Sequence, residues 1–188
     1  MRIPPIAAQG KRTPDQATRL SLDSHVVDVW QIKKVETALF AAKRVPDKHR
    51  TIDIAASYWA SEIPPVPGNH LYRGMVVPDA RTLRAILKNG MVPSRSSWSK
   101  TFLADLAGSA MPYAFEPNHE VHLAKGFRVL FELDRTLVPT RRSANGDHET
   151  SRPIPAGAIT RLFIFNKDLP AEFPFSTYSP QELLSALS

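Results

Sequence analysis

The chain has 188 residues, 43% of them hydrophobic and 22% charged, which is typical of one soluble globular domain with a sizeable core. It has no cysteine, and this excludes disulfides, thiolate zinc sites and a cysteine nucleophile. The formal net charge of +6 favours an acidic partner such as nucleic acid, a nucleotide cofactor or an acidic protein surface, without choosing among them.

The N-terminal region is predicted to hold a flexible leader and a helical cap. Residues 1–22 contain several prolines and a glycine among polar residues, a composition that does not support a packed element. Apolar residues at helical spacing then predict one helix from Asp23 or Ser24 to before Pro46. A second helix is predicted from Asp47 to before Pro64, and we expect Trp30 and Trp59 in the core.

The remaining elements are predicted as follows: a strand at 69–75, a helix at 79–89 ending at Gly90, a helix after Ser99 that carries Phe102, Leu103, Leu106 and Ala107, a half-buried strand at 127–134, a turn-rich loop at 140–147, a strand at 161–165, and irregular edges at 170–180. Helices come first and strands follow with few helices between them. This order predicts an α+β fold and not a doubly wound sheet. We expect one domain over 23–188, with the helical cap at 23–66 and a sheet core at 67–188.

No targeting segment is apparent. No apolar run approaches the roughly 18 residues of a membrane-spanning helix, and the first ten residues lack the apolar core of a secretory signal. We therefore expect no membrane partner. The expected location is cytoplasmic, or inside a host or target cell reached without a classical signal peptide.

Three separated segments carry residues suited to binding and chemistry. The first is the segment 71–74, LYRG, in which Arg73 could form a forked contact with a phosphate and Gly74 offers no side chain to obstruct a ligand. The second is 96–100, SSWSK, which leads into a predicted helix. The third is 148–157, HETSRPIPAG, in which Glu149 precedes a Pro-x-Gly turn.

In their order, these segments resemble the ADP-ribosyltransferase superfamily, in particular its arginine-serine-glutamate branch of toxin-like mono-ADP-ribosyltransferases. The resemblance covers residues 71 to about 165. It implies two packed, largely antiparallel sheets around a cleft that holds NAD as co-substrate, flanked by N-terminal helices.

The resemblance also implies roles for particular residues. Arg73 would hold a phosphate or the nicotinamide-side ribose of NAD, and Gly74 would let the nicotinamide approach the backbone. Ser97 would position the ribose and Glu149. The carboxylate of Glu149 would accept a hydrogen bond from a ribose hydroxyl and stabilise the positive charge that develops as nicotinamide leaves. Ser99 belongs to the same serine segment and is counted among the residues that bind NAD.

Aromatic side chains beside these segments offer flat surfaces for nicotinamide or adenine. Tyr72, Phe102 and Tyr113 are the candidates, and Trp98 is expected in the core because alternation along a strand turns it away from Ser97 and Ser99. Cleavage of an N-glycosidic bond passes through an oxocarbenium-like state, and a fixed carboxylate stabilises that charge.

Two departures from the family pattern leave alternatives open. Arginine-modifying members carry a second acidic residue two positions before the catalytic glutamate, and this chain has the shorter Asp147 there, as a candidate for positioning the acceptor. Counting back from the Pro-x-Gly turn, Ser151 occupies the position where the family pattern has the glutamate, and Glu149 is the acidic residue upstream. We take Glu149 as the catalytic residue, because such loops vary in length.

The predicted function is transfer of ADP-ribose from NAD to a macromolecule, with a protein side chain favoured over nucleic acid, as in an effector, a toxin or a phage modifier. The alternatives are an inactive binding module that uses its basic surface, a nucleic-acid-modifying member and an NAD hydrolase. No metal is expected, because His119, Glu120, His122 and His148 match no metal-site spacing.

Overall fold

The computed structural model describes residues 26–28, 69–93, 100–115, 125–144, 146–166 and 175–188. The strands are β1 Val26–Asp28, β2 His70–Val77, β3 Thr101–Leu103, β4 Lys125–Asp134, β5 Arg141–Arg142, β6 His148–Thr150, β7 Ile159–Phe165 and β8 Phe175–Tyr178. The α-helices are α1 Ala80–Asn89, α2 Ala107–Ala110, α3 Pro112–Phe115 and α4 Pro180–Ala186, and 3₁₀ turns lie at Arg135–Leu137 and Ala156–Ala158. None of the helices described is long and apolar enough to cross a membrane.

The larger sheet is built around β4. Strand β2 pairs antiparallel with β4 along one side, and β7 pairs with it along the other side and carries β8 at its outer edge. Phe127 pairs with both Val77 of β2 and Val26 of β1. Because a residue pairs with one strand on each side, β1 lies on the β7 side of β4, beyond the end of β7.

The central strand is buried on both faces, and the prediction of a half-buried strand is therefore wrong. Every residue from Phe127 to Leu133 is buried, including Arg128 and Glu132. Helix α1 contacts β2 and helix α4 contacts β7, while α3 packs against both β2 and β4. The alternation of large apolar and polar residues misled the prediction, because the polar positions of β4 lie in the interior and not in solvent.

The smaller sheet has the order β3-β6-β5 and is antiparallel throughout. A backbone bridge joins it to the larger sheet, since the N–H and C=O groups of Tyr72 and Ala104 exchange hydrogen bonds of 2.8 and 3.0 Å. The helix predicted after Ser99 is wrong at its start, because Thr101–Leu103 is a strand and helix begins only at Ala107. Pairing with β6 outweighs the helical spacing of the apolar residues.

Local signals placed helix α1 correctly. Asp79 caps its first turn by accepting a hydrogen bond of 2.7 Å from the Thr82 N–H. Gly90 ends the helix at φ 85°, a conformation that favours glycine. The strands predicted at 69–75 and 161–165 are also present, as β2 and β7. Strand β2 begins one residue later and ends two residues later than predicted, and β7 begins two residues earlier.

Other predictions are corrected or lie outside the described residues. Residues 26–28 form strand β1, where a helix was predicted, because the β-branched pair Val26-Val27 meets the open end of β4. The loop predicted at 140–147 contains β5, and the irregular edge at 170–180 contains β8 and the start of α4. The leader, the rest of the helical cap, Trp30 and Trp59 lie outside the described residues.

The coarse fold class is confirmed. The protein is α+β, with two antiparallel sheets and few helices. A shared apolar core fills the space between β2, β4 and β7 on one side and helices α1 and α4 on the other.

Candidate functional site

A cleft lies where β3 separates from the edge of β2, beside the bridge that joins the two sheets. Its empty space is about 250 Å³, part of which is open to solvent. The lining residues come from β2, β3, the segment that follows β3, helices α2 and α3, and the turn before β6: Tyr72, Arg73, Gly74, Phe102, Leu103, Ala104, Ser109, Ala110, Tyr113 and Asp147. Four residues predicted to bind NAD and the predicted acceptor-positioning residue therefore share one cleft.

Arg73 brings a positive charge into this cleft. Its Nη1 donates a hydrogen bond of 2.9 Å to the carbonyl oxygen of Phe102, which ties the guanidinium to the small sheet. Burial lowers the pKa of Arg73, because leaving water disfavours its charged form. Within the described part of the chain, no carboxylate lies within ion-pair distance of Arg73. Among the described residues, the other N–H groups of Arg73 therefore have no carboxylate partner.

Gly74 is required for packing of the chain against itself. A Cβ atom built at this position would overlap the carbonyl oxygen of Ala110 and approach the backbone nitrogen of Ala114 at 3.1 Å. Helices α2 and α3 can therefore approach β2 closely only because Gly74 has no side chain. The residue also lines the cleft through its backbone.

The Tyr72 hydroxyl points away from Arg73. It donates a hydrogen bond of 3.3 Å to Oε2 of Glu132, its register partner on β4. Burial raises the pKa of Tyr72, and the negative charge of Glu132 raises it further. Because side chains alternate along a strand, the Tyr72 ring lies on the face of β2 opposite to Arg73.

Glu132 is the centre of a buried network beneath Tyr72. Its carboxylate accepts hydrogen bonds from Nε of Arg161 at 2.9 Å and from the Thr160 hydroxyl at 2.9 Å, and Nδ1 of His70 lies 3.8 Å away. Burial alone raises the pKa of Glu132, but the bonds from Arg161 and Thr160 outweigh it, so the pKa is lowered overall. This network joins β2, β4 and β7.

Glu149 lies on β6, directly opposite Phe102 of β3. Lys100 Nζ donates to both of its carboxylate oxygens, at 3.2 and 3.1 Å, and Nε of Arg141 donates to Oε1 at 2.6 Å. The hydrogen bond from Lys100 lowers the pKa of Glu149 most, burial opposes it, and Arg141 lowers it further. The side chain of Glu149 is 8% exposed, and its carboxylate is held ionised.

The residues around Glu149 differ in their access to the cleft. Asp147 lines the cleft, and its carbonyl accepts the Ser143 N–H at 2.7 Å, which closes the hairpin between β5 and β6. Ser151 is exposed and lies in a bend just after β6, where Arg152 N–H donates to the Thr150 hydroxyl at 3.1 Å. Asp147 lines the cleft, whereas Glu149 and Ser151 are not among its lining residues. Glu149 is held beside the cleft strand β3 by Lys100 and Arg141, and Ser151 has no described contact with either of them.

Ser97 and Ser99 lie outside the described residues, as does Trp98. Lys100, which directly follows Ser99, is described and contacts Glu149. The sequence interpretation gave Lys100 no role and placed Arg141 only in the turn-rich loop at 140–147. The signal that could have revealed Arg141 is its position in a strand-turn-strand pattern, which places it opposite Glu149.

A second polar cluster lies on the other face of β6. His148 is buried, and its Nε2 lies 3.0 Å from Oδ1 of Asp105. Arg135 Nη1 also contacts this oxygen at 3.1 Å, and Arg142 Nη2 lies 3.6 Å from Oδ2. In the described part of the chain, no group of three or more His, Cys, Asp or Glu side chains is placed to hold a metal ion.

Comparisons with known proteins add no assignment. No family model, no curated protein and no solved structure matches the chain.

Proposed function

We propose that this protein is a mono-ADP-ribosyltransferase of the arginine-serine-glutamate type, which cleaves NAD and transfers ADP-ribose to a macromolecule. The observation that carries the proposal is the position of Arg73. A partly buried guanidinium without a described carboxylate partner lines a cleft together with Phe102, Tyr113 and Asp147. Such a cation favours an anionic ligand, and the flat side chains beside it suit a ligand that also carries aromatic rings.

The cleft does not enclose a ligand, because its 250 Å³ of empty space includes space open to solvent. We expect the cleft to hold one end of NAD, with a phosphate oxygen at Arg73 and a ring beside Phe102 or Tyr113. The rest of the ligand would extend along the surface.

Glu149 supplies the negative charge that the reaction requires. As nicotinamide leaves, positive charge develops on the ribose, and a carboxylate fixed nearby stabilises that charge. The carboxylate of Glu149 has about four lone-pair sites, and the described residues donate three hydrogen bonds to it. Oε2 accepts a described hydrogen bond only from Lys100, which leaves it capacity for a ribose hydroxyl.

A protein side chain is the acceptor we favour, and Asp147, which lines the cleft, would orient a donor group of that acceptor. Ser97 would position the ribose, as the resemblance implies. If the acceptor is nucleic acid or water instead, the cleavage of NAD is the same step. These outcomes differ only in what attacks the ribose.

The test is nicotinamide release from NAD, followed by the fate of the label. Purified protein is incubated with NAD labelled in its adenylate part, with and without cell lysate. The products are then digested with protease or nuclease. Label lost to protease supports a protein acceptor, label lost to nuclease supports a nucleic acid, and free ADP-ribose supports hydrolysis.

The Glu149→Gln variant removes the charge and keeps the shape of the side chain. We expect at least about a hundredfold slower nicotinamide release, the cost typical of losing one preorganised electrostatic contact. The matched control is Glu182→Gln, because Glu182 caps helix α4 and its described hydrogen bonds are to Ser179, not to Lys100 or Arg141. Absence of both nicotinamide release and NAD binding in the unmodified protein would overturn the proposal.

A further inference from the structure

Glu149 has two positively charged partners, and they differ sharply in their exposure. The Lys100 side chain is 28% exposed and contacts both carboxylate oxygens. The Arg141 side chain is 72% exposed and contacts one oxygen, through Nε. An ion pair that is exposed to water contributes little free energy. The hydrogen bond from Arg141 is therefore exchangeable, and the one from Lys100 is more persistent.

The backbone that carries Arg141 has few constraints. Strand β5 has two residues, both exposed, and is the outer strand of the small sheet. The turn that joins it to β6 contains Gly146 at φ 87°, with no atom within 4 Å of where its Cβ would be. Arg141 can therefore move away from Glu149 without disturbing a packed core.

Two cations on one carboxylate conflict with its proposed role. A carboxylate stabilises developing positive charge in proportion to its own unbalanced charge, and each neighbouring cation offsets that attraction. Lys100 is required to fix the carboxylate, but Arg141 adds a second positive charge. Guanidinium groups bind phosphate in a forked geometry, so a phosphate is a strong competitor for Arg141.

We infer that Arg141 is an exchangeable counter-ion of Glu149, which a phosphate of the bound ligand draws away and thereby exposes the charge of the carboxylate. This regulation rests on the proposed function, since it concerns the same site. In the protein without that phosphate, Arg141 contacts Glu149 and offsets the charge of its carboxylate. In the complex Arg141 binds phosphate, and Lys100 alone holds the carboxylate.

The phosphate has two sources, and NMR of the Arg141 side chain distinguishes them. In protein with ¹⁵N-labelled arginine, the Nε–H signal of Arg141 is assigned by its loss in Arg141→Gln, and Glu149→Gln gives its position without the ion pair. ADP is then added in one arm, because it carries a pyrophosphate and no nicotinamide. A short single strand of oligodeoxythymidylate is added in the other.

We expect the signal to leave the position that it has in the ion pair with Glu149 in at least one arm. Movement with ADP assigns the phosphate to NAD, and movement only with the oligonucleotide assigns it to an acceptor. An unmoved signal in both arms overturns the inference. Arg142→Gln is the matched control, because its side chain lies on the other face of β5 and contacts Asp105. It should leave the Arg141 signal and its response unchanged.

Kinetics give an independent readout. If the phosphate belongs to an acceptor, Arg141→Gln should release nicotinamide from NAD alone about two- to fivefold faster at saturation, the range expected for losing one exposed ion pair. If NAD supplies the phosphate, the rate at saturation should stay unchanged and the KM for NAD should rise. A slower reaction at saturation would show instead that Arg141 supports the carboxylate, and it would overturn the inference. If no variant releases nicotinamide while the NMR exchange occurs, the proposed function fails and the exchange stands.

Discussion

Arg73 donates a hydrogen bond of 2.9 Å to the backbone carbonyl of Phe102, and this contact links the two sheets at the cleft. Arg73 belongs to β2 of the larger sheet, and Phe102 belongs to β3 of the smaller one. Phe102 in turn pairs with Glu149 on β6. One backbone position therefore connects the two charged residues to which we assign cleavage of NAD.

The first prediction concerns the shape of the cation at position 73. Arg73→Lys keeps the charge but removes the planar fork, and we expect the KM for NAD to rise about tenfold or more, as for losing a charged hydrogen bond. Steady-state nicotinamide release measures it. The control is Arg81→Lys, since Arg81 is exposed on helix α1. An unchanged KM would show that Arg73 does not contact NAD.

The second prediction concerns the pH dependence of the reaction. Lys100 lowers the pKa of Glu149, so Lys100→Met should move that pKa upward, toward its ordinary value. The proposed reaction requires the ionised carboxylate, and the variant should therefore lose activity at a higher pH than the unmodified protein as the medium is acidified. The pH profile of kcat measures the shift.

The control for this variant is Lys88→Met, in the exposed last turn of α1. This variant also removes one lysine charge, but not one that contacts Glu149. It should leave the acidic side of the pH profile of kcat unchanged. If Lys100→Met lowers kcat equally at every pH, Lys100 acts by some means other than holding Glu149 ionised.

The third prediction concerns Gly74. Gly74→Ala places a methyl group where the Ala110 carbonyl lies, and we expect a loss of about 1–3 kcal/mol in the free energy of unfolding. Urea denaturation measures it. Gly157→Ala is the control, because no atom lies within 4 Å of its Cβ position. Equal stability of the two variants would contradict the close packing of α2 on β2.

The fourth prediction concerns the buried carboxylate of Glu132. Glu132→Gln removes the charge that holds Arg161, and the free energy of unfolding should fall by about 2 kcal/mol near pH 7. The folded pKa of Glu132 lies below its unfolded value. Its contribution is therefore fully present above the unfolded pKa of about 4.3 and is lost as pH falls through the folded pKa.

Denaturation of both proteins over a range of pH tests this reasoning. The difference in free energy of unfolding between the unmodified protein and Glu132→Gln should stay constant above roughly pH 5 and become smaller at lower pH. A difference that does not depend on pH would mean that Glu132 acts through shape and not through its charge.

Short-range patterns were sufficient where a local signal decides the structure. Asp79 and Gly90 mark both ends of α1, and the apolar runs of β2 and β7 locate two strands of the larger sheet. They failed at Thr101–Leu103 and at Val26–Asp28, where helical spacing was present but a partner strand was available. Pairing with a distant strand is a tertiary property, and no local window contains it.

For the candidate site, the sequence by itself determined which residues are chemically suited: a forked cation at Arg73, a carboxylate at Glu149 and an acidic neighbour at Asp147. Only the tertiary structure decided which partners surround them. Lys100 is 49 residues from Glu149 along the chain and reaches both of its oxygens, and Tyr72 faces Glu132 across 60 residues and away from Arg73. The physical reason is that residue type sets the available charge and hydrogen bonds, whereas register between distant strands sets which of them meet.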